Sequence, residues 1–243
     1  MLEQRMEQIE NDGLTIVPGV YSSAETDVMC DELTAALQTA ADSIRSSQGV
    51  IYAARNVLQW FPQVKSLWQR QPLLELLRAV LGPSFGLVRV LFFDKPPERS
   101  WALPWHRDRT MAVRDNQTPS EHFSKPTFKA GVPHIEAPHW LLQRMLTLRI
   151  HLDQVTTDNG PLQVIPGSHL ADTPTDAPTD SPNIRQVLAG RGDVLAIRPL
   201  VLHGSIGATP GSAQHRRTLH LEFSGQRELP DNYEWRDFVD AGE

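Results

Sequence analysis

Cysteine is almost missing from this chain: Cys30 is the single one in 243 residues. One thiol cannot close an internal disulfide, so the fold must rest on a hydrophobic core, and a reducing compartment is expected. Cys30 itself, in a helical neighbourhood, reads as a small buried filler. Long apolar runs are lacking too. No stretch reaches the roughly 20 residues that span a bilayer, and residues 1–11 are polar and acid-rich, unlike a secretion signal. No membrane partner is expected, and the expected location is cytoplasmic. Nor is positive charge in excess. With 23 Lys and Arg against 29 Asp and Glu the net charge is −6, which argues against a nucleic-acid partner.

The composition otherwise suits a globular protein, at 40% hydrophobic and 21% charged residues. The length fits one domain with a sizeable core, expected over 1–243. Residues 1–84 read as helical support, 85–224 as a β-rich core and 225–243 as a charged tail docked by Trp235 and Phe238.

Punctuation along the chain supports this division. Residues 14–20 read as a short strand stopped by Pro18-Gly19. Ser22 with Glu25 forms a capping box, and Val28, Met29, Leu33, Leu37, Ala40 and Ile44 recur at helical spacing as a packing stripe. Residues 46–58 read as irregular; 62–81 are helical, restarted at Pro72 and closed by Gly82-Pro83. From Phe85 the texture turns to strand, ending at a turn over Asp94-Lys95-Pro96-Pro97. Residues 114–138 read as a long irregular excursion, of the kind that builds a lid or substrate wall. Further strands are expected over 145–153, 160–166, 192–197, 200–203 and 217–223, with Asp158-Asn159-Gly160 as a hairpin turn. Residues 171–182 read as a solvated surface loop. Helices first and many short strands later suggest a β-sandwich or jelly roll buttressed by N-terminal helices, a mainly β, α+β architecture.

The chemistry centres on Pro104-Trp105-His106-Arg107-Asp108, read with Val201-Leu202-His203-Gly204-Ser205. In an extended strand residues two apart project from one face, so His106 and Asp108 can grip one metal ion. If the fold brings His203 opposite them, the three form a two-histidine, one-carboxylate set with open coordination positions, the set suited to non-haem Fe(II). A second H-x-D pair, His151 and Asp153, competes.

The order of landmarks is informative: Phe93-Asp94-Lys95-Pro96-Pro97, the H-x-D stretch, Asp158-Asn159-Gly160 running to Pro166-Gly167-Ser168-His169, Gly192-Asp193, His203-Gly204-Ser205, then Arg216-Arg217. This resembles the phytanoyl-CoA dioxygenase family of Fe(II)- and 2-oxoglutarate-dependent oxygenases over roughly residues 85–224. The resemblance implies a double-stranded β-helix (a cupin-like jelly roll) and names His106, Asp108 and His203 as the catalytic iron ligands. It implies 2-oxoglutarate as cosubstrate with O2, and hydroxylation, desaturation or cyclisation of a small molecule with release of succinate and CO2. Related halogenases lack the carboxylate, so Asp108 favours hydroxylation over chlorination. The family takes the cation for the distal carboxylate from about a dozen residues after the distal histidine, a place that Arg216 fits with Arg217 as rival. Strand alternation lets only one of them face the site. Ser205, two after His203, matches the second hydrogen bond to that carboxylate. In the family order 145–153 falls on a later strand, so His151 becomes at most a cavity contact.

Trp101 and Trp105 are expected to wall the site or pack the core, and His134, His139 and Lys129 to shape a substrate pocket. His122, His169, His215 and His220 carry no ligand spacing and receive no role. Two rival functions are a cupin-like metalloenzyme that does not use 2-oxoglutarate and a non-catalytic jelly-roll binding protein.

Overall fold

The computed structural model describes residues 1–40, 43–47, 50–97, 100–170 and 182–242. Residues 171–181, most of the expected surface loop, lie outside the described residues.

The N-terminal support is helical as expected, with additions. Residues Leu2–Asn11 form a helix that buries Ile9. The helix Ser23–Leu37 starts at the expected capping box, where the Ser22 side chain accepts from the Glu25 amide and the Glu25 carboxylate accepts from the Ser22 amide. Its stripe holds at Met29, Leu33 and Leu37 together with Cys30, but Val28 faces solvent and the helix stops at Leu37. Ile44 instead opens a hairpin, Ile44–Ser47 with Val50–Ala54, where the sequence reads as irregular. The β-branched and aromatic run Val50-Ile51-Tyr52 finds a ready edge: Ala53 and Ala54 pair with Phe93 and Phe92. The helix Gln71–Leu81 carries Pro72 in its first turn, buries Leu73, Leu76 and Leu77, and ends at Gly82 with φ of 88°.

An antiparallel sheet of 8 strands runs in the order Leu14–Val17, Val194–Ile197, Met145–His151, Arg216–Ser224, Gly86–Lys95, Val50–Ala54, Ile44–Ser47, with Val239–Asp240 also on Gly86–Lys95. A second sheet of 4 strands runs Arg185–Val187, Leu162–Val164, His203–Ser205, Leu103–His106. This is the expected jelly roll. On the larger sheet, Leu146, Leu148, Ile150, Leu219, Leu221 and Phe223 join the helices in one core, where the Trp68 ring meets Phe85 and Phe223 edge-on. The alternate positions, Arg149, His151, Thr218, His220 and Glu222, face the other way and are polar. A sheet with one oily and one polar buried face is built to hold a site.

Two expectations fail here. The Asp158-Asn159-Gly160 turn closes no hairpin: it carries the chain from the larger sheet to Leu162–Val164 in the smaller one, which pairs with His203–Ser205. Asn159 is buried and clamps the crossing, accepting from the Thr156 amide at 2.9 Å and donating to the Gln154 carbonyl at 2.7 Å. Gly160, at φ of 75°, leaves no room for a side chain, since a Cβ there would stand 2.7 Å from the Ile206 carbonyl oxygen. Second, much of 114–138 is ordered as Ser124–Lys129 and Val132–Glu136, which with Thr110–Ala112 make a sheet of their own. Met111, Phe123, Ile135, Tyr233 and Trp235 pack beneath it, so the C-terminal tail docks as expected. Among the described residues no helix is long and apolar enough to cross a membrane.

Candidate metal centre and anion-binding cavity

The smaller sheet solves the sequence-distance problem directly. His203 and His106 are register partners on adjacent antiparallel strands, with ring centroids 4.4 Å apart. The strand ends at His106, yet the two-residue spacing still brings Asp108 alongside: its oxygens lie 3.7 Å from His106 Nε2 and 3.6 Å from His203 Nε2. One ligand atom from each of the three fits within 4.8 Å of the others. Asp108 is anchored through its amide, which donates to the Pro199 carbonyl at 3.0 Å.

Both imidazoles are oriented by the backbone. His106 Nδ1 donates to the Pro104 carbonyl and His203 Nδ1 to the Val201 carbonyl, each at 2.8 Å. A carbonyl oxygen can only accept, so the proton sits on Nδ1 and the Nε2 lone pair is left for a ligand. Burial pushes His203 down to about 3, against the opposing pull of Asp108, so its ring is neutral at physiological pH. Burial would raise the Asp108 carboxyl, but His203, His220, Arg149 and His106 outweigh it and hold the group below the ordinary carboxylate range. Two imidazole nitrogens and one carboxylate, preset in one orientation, fit a divalent borderline metal such as Fe(II).

Beside this trio opens a cavity of about 390 Å³ lined by both sheets and by the 44–54 hairpin. His106, Asp108, Ser205 and Arg216 reach it, as does Trp101, which therefore walls the site. Arg216 and Arg217 separate as alternation demands. Arg217 turns to the opposite face and is held bidentately by Asp153 at 2.7 and 2.8 Å. Arg216 turns inward, and its buried Nε has no partner. Burial, then the charge of Arg149, lowers Arg216 to about 10, still a cation at neutral pH. An orphaned buried guanidinium facing a cavity is what a carboxylate would satisfy.

The rival H-x-D pair is not a site. Asp153 is spent on Arg217, and His151 is buried with both ring nitrogens unpartnered, off the cavity wall. The 114–138 excursion also contributes no cavity residue: His134 is buried on Val132, Lys129 donates to Thr110, and His139 is exposed at the start of a short helix.

Three site residues escape the sequence reading. The strand continues to Lys95 instead of turning at Asp94, which buries Lys95 so that it donates to Ser205 Oγ at 2.8 Å and to the Ile206 carbonyl at 2.7 Å. Burial, with Arg216 opposite in register, pushes its ammonium down to about 7. His220 lies on the inward face of the Arg216 strand; its Nδ1 accepts from Arg149 Nε at 3.1 Å and its Nε2 donates to Glu222 at 3.1 Å. Arg149 Nη2 stands 3.7 Å from Asp108 and 3.5 Å from His203 Nε2. The usable signal for His220 was present: it is four residues after Arg216, on the same face of an alternating strand.

Comparison with known proteins agrees with this fold. No protein of curated function matches the chain. Among solved structures, EvdMO1 is 25% identical with a TM-score of 0.65, covering 92% of this chain, which spans about half (49%) of that protein. EctD from S. alaskensis, solved with 2-oxoglutarate and 5-hydroxyectoine, is 20% identical with a TM-score of 0.68, covering 91% of this chain and 75% of that one. The non-haem alpha ketoglutarate dependent epimerase SnoN from nogalamycin biosynthesis is 19% identical with a TM-score of 0.64, covering 92% and 80%. The family model of phytanoyl-CoA dioxygenase matches residues 9–218, a span that includes His106, Asp108, His203 and Arg216. A match over residues 9–218, well over half of the chain, makes it a member of the phytanoyl-CoA dioxygenase family.

Proposed function

We propose that the protein is a non-haem Fe(II)- and 2-oxoglutarate-dependent dioxygenase, one catalytic domain acting in the cytoplasm on a small molecule. The observation that carries this is the cross-strand pairing of His203 with His106, which gathers two lone pairs and the Asp108 carboxylate beside a cavity holding an unpartnered arginine. His106, Asp108 and His203 would hold the iron, and Arg216 with Ser205 the distal carboxylate of 2-oxoglutarate. Bound there, the iron and keto acid would supply oxygen activation, with succinate and CO2 as the coproducts.

The chain's own residues do the positioning. Two backbone carbonyls fix the histidine tautomers, so no proton need leave Nε2 before a metal binds. Arg216 offers a fork for a carboxylate, while Lys95 aligns the Ser205 hydroxyl by donating to its oxygen, leaving the hydroxyl proton for an incoming acceptor. Phe93, Leu91, Leu162 and Trp101 give the cavity apolar walls that limit water. SnoN acts as an epimerase and SnoK, another nogalamycin-biosynthesis enzyme of this fold, as a carbocyclase. A carboxylate fills the third ligand position and leaves no place there for a halide, so hydroxylation, or a variant such as desaturation or cyclisation, is the reaction we propose in preference to chlorination.

The test is anaerobic titration with Fe(II) and 2-oxoglutarate, following the visible charge-transfer band, then succinate release once oxygen is admitted. The band should appear in the wild type, vanish in His106→Ala and weaken in Arg216→Ala. Metal binding without a band would favour the cupin-like alternative, and no metal binding would sink the proposal.

A further inference from the structure

The lining of the cavity is unusual in charge. Arg45, Arg55, Lys95, Arg149 and Arg216 all reach it, whereas Asp108 is the sole carboxylate among the described lining residues. The chain as a whole is acidic, at −6, so this concentration of cations is local. Glu222, two residues from the cavity-lining His220, is occupied: Arg89 grips it bidentately at 2.7 and 2.8 Å, and His220 donates to it. A divalent metal and the dianion 2-oxoglutarate cancel one another, so their arrival would leave the positive surplus where it was.

The surplus is graded by depth. Lys95 and Arg216 sit at the buried end beside Ser205, whereas Arg55 is half-buried and Arg45 is exposed at the mouth. Arg45 and Arg55 both come from the 44–54 hairpin and the residue that follows it. Neither guanidinium has a hydrogen-bonding or ion-pairing partner among the described residues, and Arg55 stands among the like charges of Arg89 and Arg45. Tyr52 and Trp101, also on the cavity wall, meet edge-on with ring centroids 5.2 Å apart.

We propose that the primary substrate is a small organic anion, carrying a carboxylate or phosphate group that docks on Arg55 and Arg45 while its apolar body lies along Tyr52 and Trp101 toward the metal centre. The hairpin is then the specificity element of the enzyme. Planar guanidinium forks suit both anions, and a cleft of one charge sign draws them in from solution. The inference rests on the reading of this cavity as an Fe(II)/2-oxoglutarate site, but its arginines can be tested separately.

The test measures calorimetric binding of hexanoate, hexyl phosphate and hexanamide to protein held anaerobically with Fe(II) and 2-oxoglutarate, for the wild type, Arg55→Gln and Arg45→Ala. At least one anion should bind saturably, hexanamide about tenfold more weakly or worse. Arg55→Gln should lose about tenfold in anion affinity and Arg45→Ala somewhat less, as expected for losing a charge-assisted contact, with the charge-transfer band unchanged. Preference for hexanoate or for hexyl phosphate would tell the two substrate chemistries apart. An intact band with no anion binding, with hexanamide bound as tightly as the anions, or with unaltered anion affinity in both variants would overturn the proposal. Anion binding lost in the variants, in a protein that shows no band at all, would uphold the anion site and overturn the iron and 2-oxoglutarate reading instead.

Discussion

At the scale of single residues, two adjacent arginines illustrate how one position decides a role. Arg216 and Arg217 are chemically identical, and the pleat sends one to the cavity and the other to Asp153. Arg216→Ala should weaken 2-oxoglutarate binding by tenfold or more with little loss of stability. Arg217→Ala should do the reverse, lowering stability by about 1.5–3 kcal/mol, the range for a hydrogen bond to a charged partner, in a denaturant titration while leaving the charge-transfer band alone. Lys95 carries a pH signature. Its folded value, about 7, lies below that of an ordinary lysine, so between the two the unfolded chain holds more protons and stability rises with pH across that window. A dianion bound beside it favours the charged form and draws a proton back. Above pH 7, 2-oxoglutarate binding should therefore take up protons, visible as a buffer-dependent enthalpy, and Lys95→Met should abolish the uptake.

At the scale of elements, the strand Arg216–Ser224 is the spine of the site. Its inward face presents Arg216, Thr218, His220 and Glu222 in succession, and its outward face puts Leu219, Leu221 and Phe223 into the core. The inward face closes a chain of polar contacts from Arg149 through His220 and Glu222 to Arg89. Glu222→Ala would leave a buried arginine without its anion, a loss of about 3–5 kcal/mol. It should also free Arg149 from its alignment, so Fe(II) affinity should change even though Glu222 touches no ligand. Unchanged iron affinity in a folded Glu222→Ala protein would show that the chain of contacts is structural only. The strands Ile44–Ser47 and Val50–Ala54 are the contrasting element: they pair at the edge of the sheet, joined to it through only Ala53 and Ala54, so the exposed Arg45 can vary without disturbing the spine.

For the whole molecule, the helices and the larger sheet share one apolar core. Trp68, fully buried from the helical half, packs on Phe85 and Phe223 of the β half. The two halves should then melt together, giving one calorimetric transition, as a shared core requires. Trp68→Ala, costing about 3–5 kcal/mol, should lower that one transition without splitting it. Two separated transitions would mean that residues 1–84 fold independently of the jelly roll.

Much of this protein was legible in its residues. The H-x-D pair and the Ser22 capping box depend on local spacing, which a linear chain displays directly, whereas alternation sent only one of Arg216 and Arg217 inward and the family resemblance pointed to Arg216 and to His203. The helix over Gln71–Leu81 was legible for the same reason, through Pro72 at its start and Gly82 at its end. Tertiary structure decided what depends on partners distant in sequence. Whether 158–160 closes a hairpin or crosses between sheets is set by the strand that Leu162–Val164 pairs with, not by the turn itself. Residues 44–47, 50–54, 124–129 and 132–136 became strands because a sheet edge, or each other, supplied hydrogen bonds that their own composition did not announce. The same holds for Lys95, Arg149 and His220: as isolated letters they are ordinary polar residues, and only packing of the two sheets turned them inward around one cavity.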